Sequence, residues 1–164
     1  MRLSKAVVAI AMLAIAGCSP TGQSATADPS QAASAAAVHS ESGLRIIPLT
    51  VASANGAHMF RVEVAATQEQ QAKGLMFRTK MGADEGMLFP HEKPHKTAFW
   101  MRNTVIPLDI IFIGADRRIL NIAANAVPYD ETPLPSAGVT AGVLELNGGR
   151  AAELGIKPGD KVSW

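Results

Sequence analysis

The chain has 164 residues, 48% of them hydrophobic and 18% charged, with a formal net charge of +1. That describes one globular domain, with or without tails, and excludes a disordered or collagen-like chain. The near-zero charge argues against nucleic acid as a partner, and a single cysteine excludes an internal disulfide or a cysteine-rich zinc cage.

Residues 1–17 read as a signal peptide rather than as fold. Arg2 and Lys5 precede an apolar run, Ala6 to Ala16, that is too short to span a bilayer. The run ends Ile15-Ala16-Gly17-Cys18, which resembles the lipobox of bacterial lipoproteins: small residues at the cut, then the cysteine that carries the lipid. The resemblance implies an exported, periplasm-facing protein held at an envelope membrane through Cys18. Ser19 after the cysteine favours the outer membrane if the host is Gram-negative. Residues 18–42 are rich in Ala, Ser, Thr and Gln with no apolar period, the composition of a flexible tether. Removal of residues 1–17 leaves thirteen basic and fourteen acidic side chains, a net charge of −1.

Residues 43–164 are predicted to fold as a compact, mainly-β single domain, a barrel or sandwich with two short helices. Leu44 to Ala52 and Met59 to Val64 read as strands flanking an Asn55-Gly56 hairpin signal. Thr67 with Gln70 has the spacing of a capping box, and Gly74 suits the end of that first helix. Gly86 to Phe89, Thr97 to Met101, Leu108 to Ile113, Arg118 to Ala123, Val139 to Leu146 and Lys161 to Trp164 are further strand segments. Asn147 is the expected cap of a second helix running to Leu154, with Gly155 closing it. Lys157-Pro158-Gly159-Asp160 reads as a type II turn into the last strand.

No nucleophile elbow, Walker loop or dinucleotide glycine pattern is present, so no cofactor is expected. The densest polar constellation is Phe99-Trp100-Met101-Arg102-Asn103-Thr104 followed by Pro107-Leu108-Asp109. Strand alternation would place Phe99, Met101 and Asn103 on one face and Trp100, Arg102 and Thr104 on the other. Asp109 stands in an apolar run, where a carboxylate is costly unless bonded. It reads either as an anchor accepting amides of the Asn103-Thr104 turn or as the base of a pocket. Glu145, between Leu144 and Leu146, either faces water or joins Asp109. Were the two to converge, they would form the pair needed for glycoside-type hydrolysis. Arg78 suits either a pair with Asp109, a ligand carboxylate or the bare surface. Asn147-Gly148-Gly149-Arg150 reads as a tight helix start more than as an anion site. His91 and His95 are four apart, but Pro90 and Pro94 deny them a helix, so no metal site is expected.

Six segments occur in an order that resembles the bacterial and archaeal domain-of-unknown-function family 192. They are Gly74 to Arg78, Gly86 to Phe89, Phe99 to Thr104, Pro107 to Ile110, Val143 to Leu146 and Gly155 to Val162. The resemblance spans roughly Met59 to Val162 and implies a small, mainly-β, often exported domain with no established activity. The stretch Pro90 to Pro94 looks variable. The expected function is a non-catalytic binding module, its ligand a small polar molecule, a glycan or an envelope protein. Its candidate site residues are Arg78, Trp100, Arg102, Asn103, Thr104, Asp109 and Glu145. The alternatives are a hydrolase using Asp109 and Glu145 and a purely structural envelope protein, so the residues leave enzyme and non-enzyme both open.

Overall fold

A computed structural model describes residues 37–164. The signal peptide, Cys18 and most of the expected tether lie outside the described residues. The last tether residues already belong to the fold: Val38 bridges Arg45, and Glu41 and Ser42 reach charged partners described below.

The elements run β1 (Ile46–Ser53), β2 (Gly56–Val64), α1 (Gln68–Lys73), β3 (Glu85–His95), β4 (Ala98–Phe99), β5 (Leu108–Gly114), β6 (Ile119–Ala126), β7 (Leu134–Pro135), β8 (Thr140–Asn147), α2 (Arg150–Glu153) and β9 (Lys161–Ser163). Seven strands form one curled sheet in the order β6-β5-β8-β3-β2-β1-β9, and β4 and β7 form a separate two-stranded ribbon. Within the large sheet β2 and β3 pair in parallel and the other neighbours are antiparallel. The two edges meet at one end. Arg118 bridges Lys161, the Ile119 amide donates to the Asp160 carbonyl at 2.9 Å, and the Val162 amide donates to Arg117 at 2.8 Å. The expected mainly-β barrel-like domain with two short helices is therefore present.

The central strands are covered on both faces. One cluster gathers Leu49, Phe60, Val62, Leu88, Ile111, Leu144, Leu146 and Val162. A second gathers Leu75, Met87, Phe89, Met101, Leu108, Ile110, Phe112 and Val143. This explains the unbroken apolar run of β5, whose seven residues are all buried: alternate residues enter alternate clusters. Any polar side chain on β5 or β8 must also enter one of the two.

The first helix forms as its local sequence dictates. The Thr67 side chain accepts the Gln70 amide at 3.2 Å, and the Gln70 side chain accepts the Thr67 amide at 3.0 Å. The second helix begins differently from expectation. Its N-cap is Gly149, without a side-chain bond of its own, and Asn147 turns away to donate to the carbonyls of Met81 and Gly82. The cap is supplied by Asp109 on β5. The turn at Lys157–Asp160 has Gly159 at φ 93° and the Asp160 amide on the Lys157 carbonyl, as a type II turn requires.

Candidate functional site

The site follows from strand parity. In the pairing of β5 with β8, Asp109 lies opposite Leu146, and Ile110 lies opposite Glu145. Residues opposite one another share a face. Leu146 belongs to the first cluster and Ile110 to the second, so the two carboxylates stand on opposite faces of the sheet. They cannot flank one bond, and the two-carboxylate hydrolase is set aside.

Asp109 is wholly buried. Its Oδ1 accepts the amides of Asn125 and Gly149, both at 2.9 Å, and its Oδ2 accepts the amide of Ala151 at 2.8 Å. The anchoring reading is the one the geometry supports, but with other amides than those of the Asn103-Thr104 turn. It ties β6 and the start of α2 to β5. Those amides are thereby used, and Arg150 pairs with Asp84 at 2.7 Å and Glu153 at 2.8 Å, so the Asn147 to Arg150 turn holds no free anion cradle.

Arg78 is also committed to the protein. It forms a buried fork on Glu63 at 2.8 and 3.1 Å, and its Nε meets Glu41 at 3.2 Å. Ser42 donates to the same Glu63, and His39 stands 3.6 Å from it. Glu41, Ser42 and Arg78 of this cluster line a recess of about 520 Å³ together with Gln70, Lys73 and Phe77. The buried charge in that wall is already paired, so the recess offers a ligand little specific recognition.

A smaller cleft, about 330 Å³, shares Lys73, Gly74 and Met76 with that recess. Trp100, Arg102, Thr104 and Glu145 line it, with Leu75, Phe89, His91, His95 and Phe99. Four of the seven sequence candidates thus converge, while Arg78, Asn103 and Asp109 fall outside. The aromatic wall is ordered by edge-on packing: Phe99 meets Phe89 at 5.0 Å and Phe112 at 6.1 Å between centroids.

The segment after Phe99 is not the alternating strand expected. Only Ala98 and Phe99 pair, and then the chain turns. Met101 and Thr104 are both buried, whereas Trp100 is 51% exposed. The turn is held by backbone bonds from two other segments. Phe77 donates to the Asn103 carbonyl at 2.8 Å, Tyr129 donates to Met101 at 3.1 Å, and Met101 donates to Asp130 at 2.8 Å. Three residues of this knot, Phe77, Asn103 and Tyr129, have left-handed φ values of 63°, 53° and 64°. Each such non-glycine residue costs on the order of 1–3 kcal/mol, so the surrounding contacts must hold it there. The result presents an exposed Trp100 with the Arg102 guanidinium 5.9 Å from its ring centre.

Glu145 forms the floor. It projects among Met87, Ile110 and Val143, and 5% of its surface stays accessible. Burial alone pushes its carboxyl up to about 8, so at neutral pH it is mostly protonated. A neutral acid both donates and accepts a hydrogen bond. Among the described residues, the buried polar side chains Glu63, Arg78, Thr104, Asp109 and Thr140 each bond within the protein. Glu145 does not, and its bonding capacity points into the cleft.

Sequence reasoning missed His91, His95 and Lys73 as wall residues. Their placement depends on Gln71, whose side chain donates to the carbonyls of Ala65 and Pro90 at 3.2 and 3.0 Å and so docks α1 against β3. No local pattern signals that contact.

The profile of domain-of-unknown-function family 192, described as "Uncharacterized ACR", matches residues 50–164, and the chain belongs to this family. A crystal structure of a protein of unknown function from Novosphingobium aromaticivorans is 67% identical, with a TM-score of 0.78 over 80% of this chain and 94% of that one. A crystal structure of a putative transcription regulator from Sinorhizobium meliloti is 39% identical, with a TM-score of 0.71 over 73% of this chain and 94% of that one. No curated protein matches the chain.

Proposed function

We propose that this domain is a non-catalytic binding module, carried at an envelope membrane by a lipid on Cys18, whose site is the cleft floored by Glu145. The reading rests on one observation: a buried carboxyl with no hydrogen bond among the described residues lines a cleft whose rim is an exposed tryptophan. Burying a polar group unbonded is costly, and a ligand hydroxyl would supply the missing bond. The ligand that fits is a sugar or a glycan end. Its apolar face stacks on Trp100, and one hydroxyl bonds the neutral acid of Glu145. The regulatory role named for the Sinorhizobium protein finds no support in a chain of net charge +1.

The test is a thermal-shift screen of the full chain against mono- and disaccharides at pH 7. A sugar at a hundredfold its dissociation constant stabilises by about 2.7 kcal/mol, a shift of several degrees. Trp100→Ala and Glu145→Gln should each remove the shift while the variants stay folded. A flat screen, or a shift that survives both substitutions, would overturn the reading. Incorporation of radioactive palmitate, lost in Cys18→Ser, tests the anchor separately.

A further inference from the structure

The wall of the cleft opposite in character to Trp100 carries two imidazoles. The ladder between β3 and β8 shifts register between Pro90 and His95, so residues 91–94 leave the regular pairing. The two prolines that deny this stretch a helix do not keep the rings apart. His91 and His95 stack with centroids 4.2 Å apart and planes tilted by 29°.

The hydrogen bonds fix which nitrogen of each ring carries the proton. Thr140 has one hydroxyl hydrogen, and it is donated to the His95 carbonyl at 2.8 Å. The same hydroxyl oxygen, 3.1 Å from His91 Nδ1, therefore accepts there, as does the Thr140 carbonyl at 3.2 Å. His91 Nδ1 must be the donor. His95 Nδ1 lies 2.9 Å from the Lys93 carbonyl, which also only accepts. In its neutral form each ring thus holds Nδ1–H on a backbone carbonyl and leaves Nε2 as a bare lone pair, with no hydrogen bond to it among the described residues. This is the arrangement that orients metal-binding histidines, in which the second nitrogen is fixed by an outer partner.

We propose that His91 and His95 form a paired-imidazole site for a divalent transition-metal ion, copper(II) in preference to zinc, open toward the cleft. Nitrogen donors favour copper(II) over zinc in the ordinary affinity order. No group of three or more His, Cys, Asp or Glu able to hold a metal occurs among the described residues, so the other coordination positions fall to water or to a molecule in the cleft. Such a site exchanges its ion rather than building the fold. His95 is exposed, so an ion can reach the pair from solvent. The inference is independent of the sugar reading, because it rests on the rings and their tautomers.

The experiment titrates copper(II) alone into the full chain carrying Cys18→Ser, which removes the competing thiol, and records the electron paramagnetic resonance spectrum. One equivalent should bind with splitting from two equatorial nitrogens. His95→Gln, whose ring bonds only its own loop, should fold normally and reduce the pattern to one nitrogen. Thr140→Val, which removes the outer hydroxyl from His91, should weaken binding about tenfold. His58→Gln should change nothing. The absence of stoichiometric binding, or a spectrum unchanged in His95→Gln, would overturn the proposal. Neither result bears on the sugar screen, which contains no metal.

Discussion

Replacing Asp109 by asparagine exchanges one acceptor oxygen for an amide group at a wholly buried position. The carboxylate now takes three backbone amides, two on Oδ1 and one on Oδ2. Asparagine with its oxygen in the Oδ1 place keeps the Asn125 and Gly149 bonds but sets an NH₂ group against the Ala151 amide, donor facing donor. One charge-assisted bond is lost and a buried amide is left unpaired, a cost of about 2–4 kcal/mol. Asp109→Ala orphans all three amides and should cost at least about 4 kcal/mol. In a domain of this size each kcal/mol moves the midpoint by about 3–5 °C, so the asparagine variant should melt roughly 6–20 °C early. Urea unfolding of the two variants gives the free energies directly. Because Asp109 faces away from the cleft, any ligand that binds the wild type should bind folded Asp109→Asn with unchanged affinity. A loss below about 1 kcal/mol in both variants, or weaker binding at unchanged stability, would refute the anchoring role.

Three further outcomes follow from the same geometry. Glu145 is protonated in both states below about 4.5, but between about 4.5 and about 8 the unfolded chain ionises it while the folded chain does not. Stability should therefore fall as pH rises across that window, by up to about 1.4 kcal/mol per unit. Glu145→Gln should remove that slope, and parallel urea-midpoint curves for the two chains would contradict it. Arg78→Ala strands the buried Glu63 carboxylate and should destabilise by about 3–5 kcal/mol. Chemical denaturation of this variant reads the effect, and a loss of only a few tenths would show the pair to be solvated. Gly86→Ala would set a methyl group 2.5 Å from the Glu145 carbonyl oxygen, forcing β3 and β8 apart. An overpacking cost of about 1–3 kcal/mol is expected, with changed tryptophan fluorescence if the cleft widens. A neutral effect on both readouts would show that the strands have room.

What the sequence made legible was local. The capping box at Thr67 and Gln70 closes within one helical turn, and the Lys157–Asp160 turn is announced by Pro158 and Gly159 and closed locally by the Asp160 side chain on the Lys157 amide. The apolar run from Leu108 announces a strand buried on both faces whatever its partners. Where partners decide the outcome, reading along the chain fell short. Asn147 has the chemistry of a helix cap, yet Asp109, remote in sequence, reaches the same amides from inside the sheet and is held there by packing. Arg78 finds Glu63 through the fold, not through spacing. Pro90 and Pro94 argue against regular structure, and β3 indeed loses its register there. The consequence, two stacked histidines on the cleft wall, comes from the bonds of Thr140 across the sheet.

The two buried acids differ in how the fold bonds them. Burial does not distinguish them, since Asp109 is 0% and Glu145 5% exposed. Nor does sequence context, for both sit between apolar residues on central strands. Asp109 faces a closed cluster, where three backbone amides converge on its side chain and satisfy it. Glu145, displaced by one residue in parity, faces the side closed by loops rather than by the sheet, and there no donor among the described residues reaches it. It keeps its proton instead. A fold that needed only to be stable would gain from an apolar residue at that position, beside Met87 and Ile110. An acid with no hydrogen bond among the described residues, under an exposed tryptophan, is costly unless something else completes its bonds, and the proposed binding role rests on that imbalance.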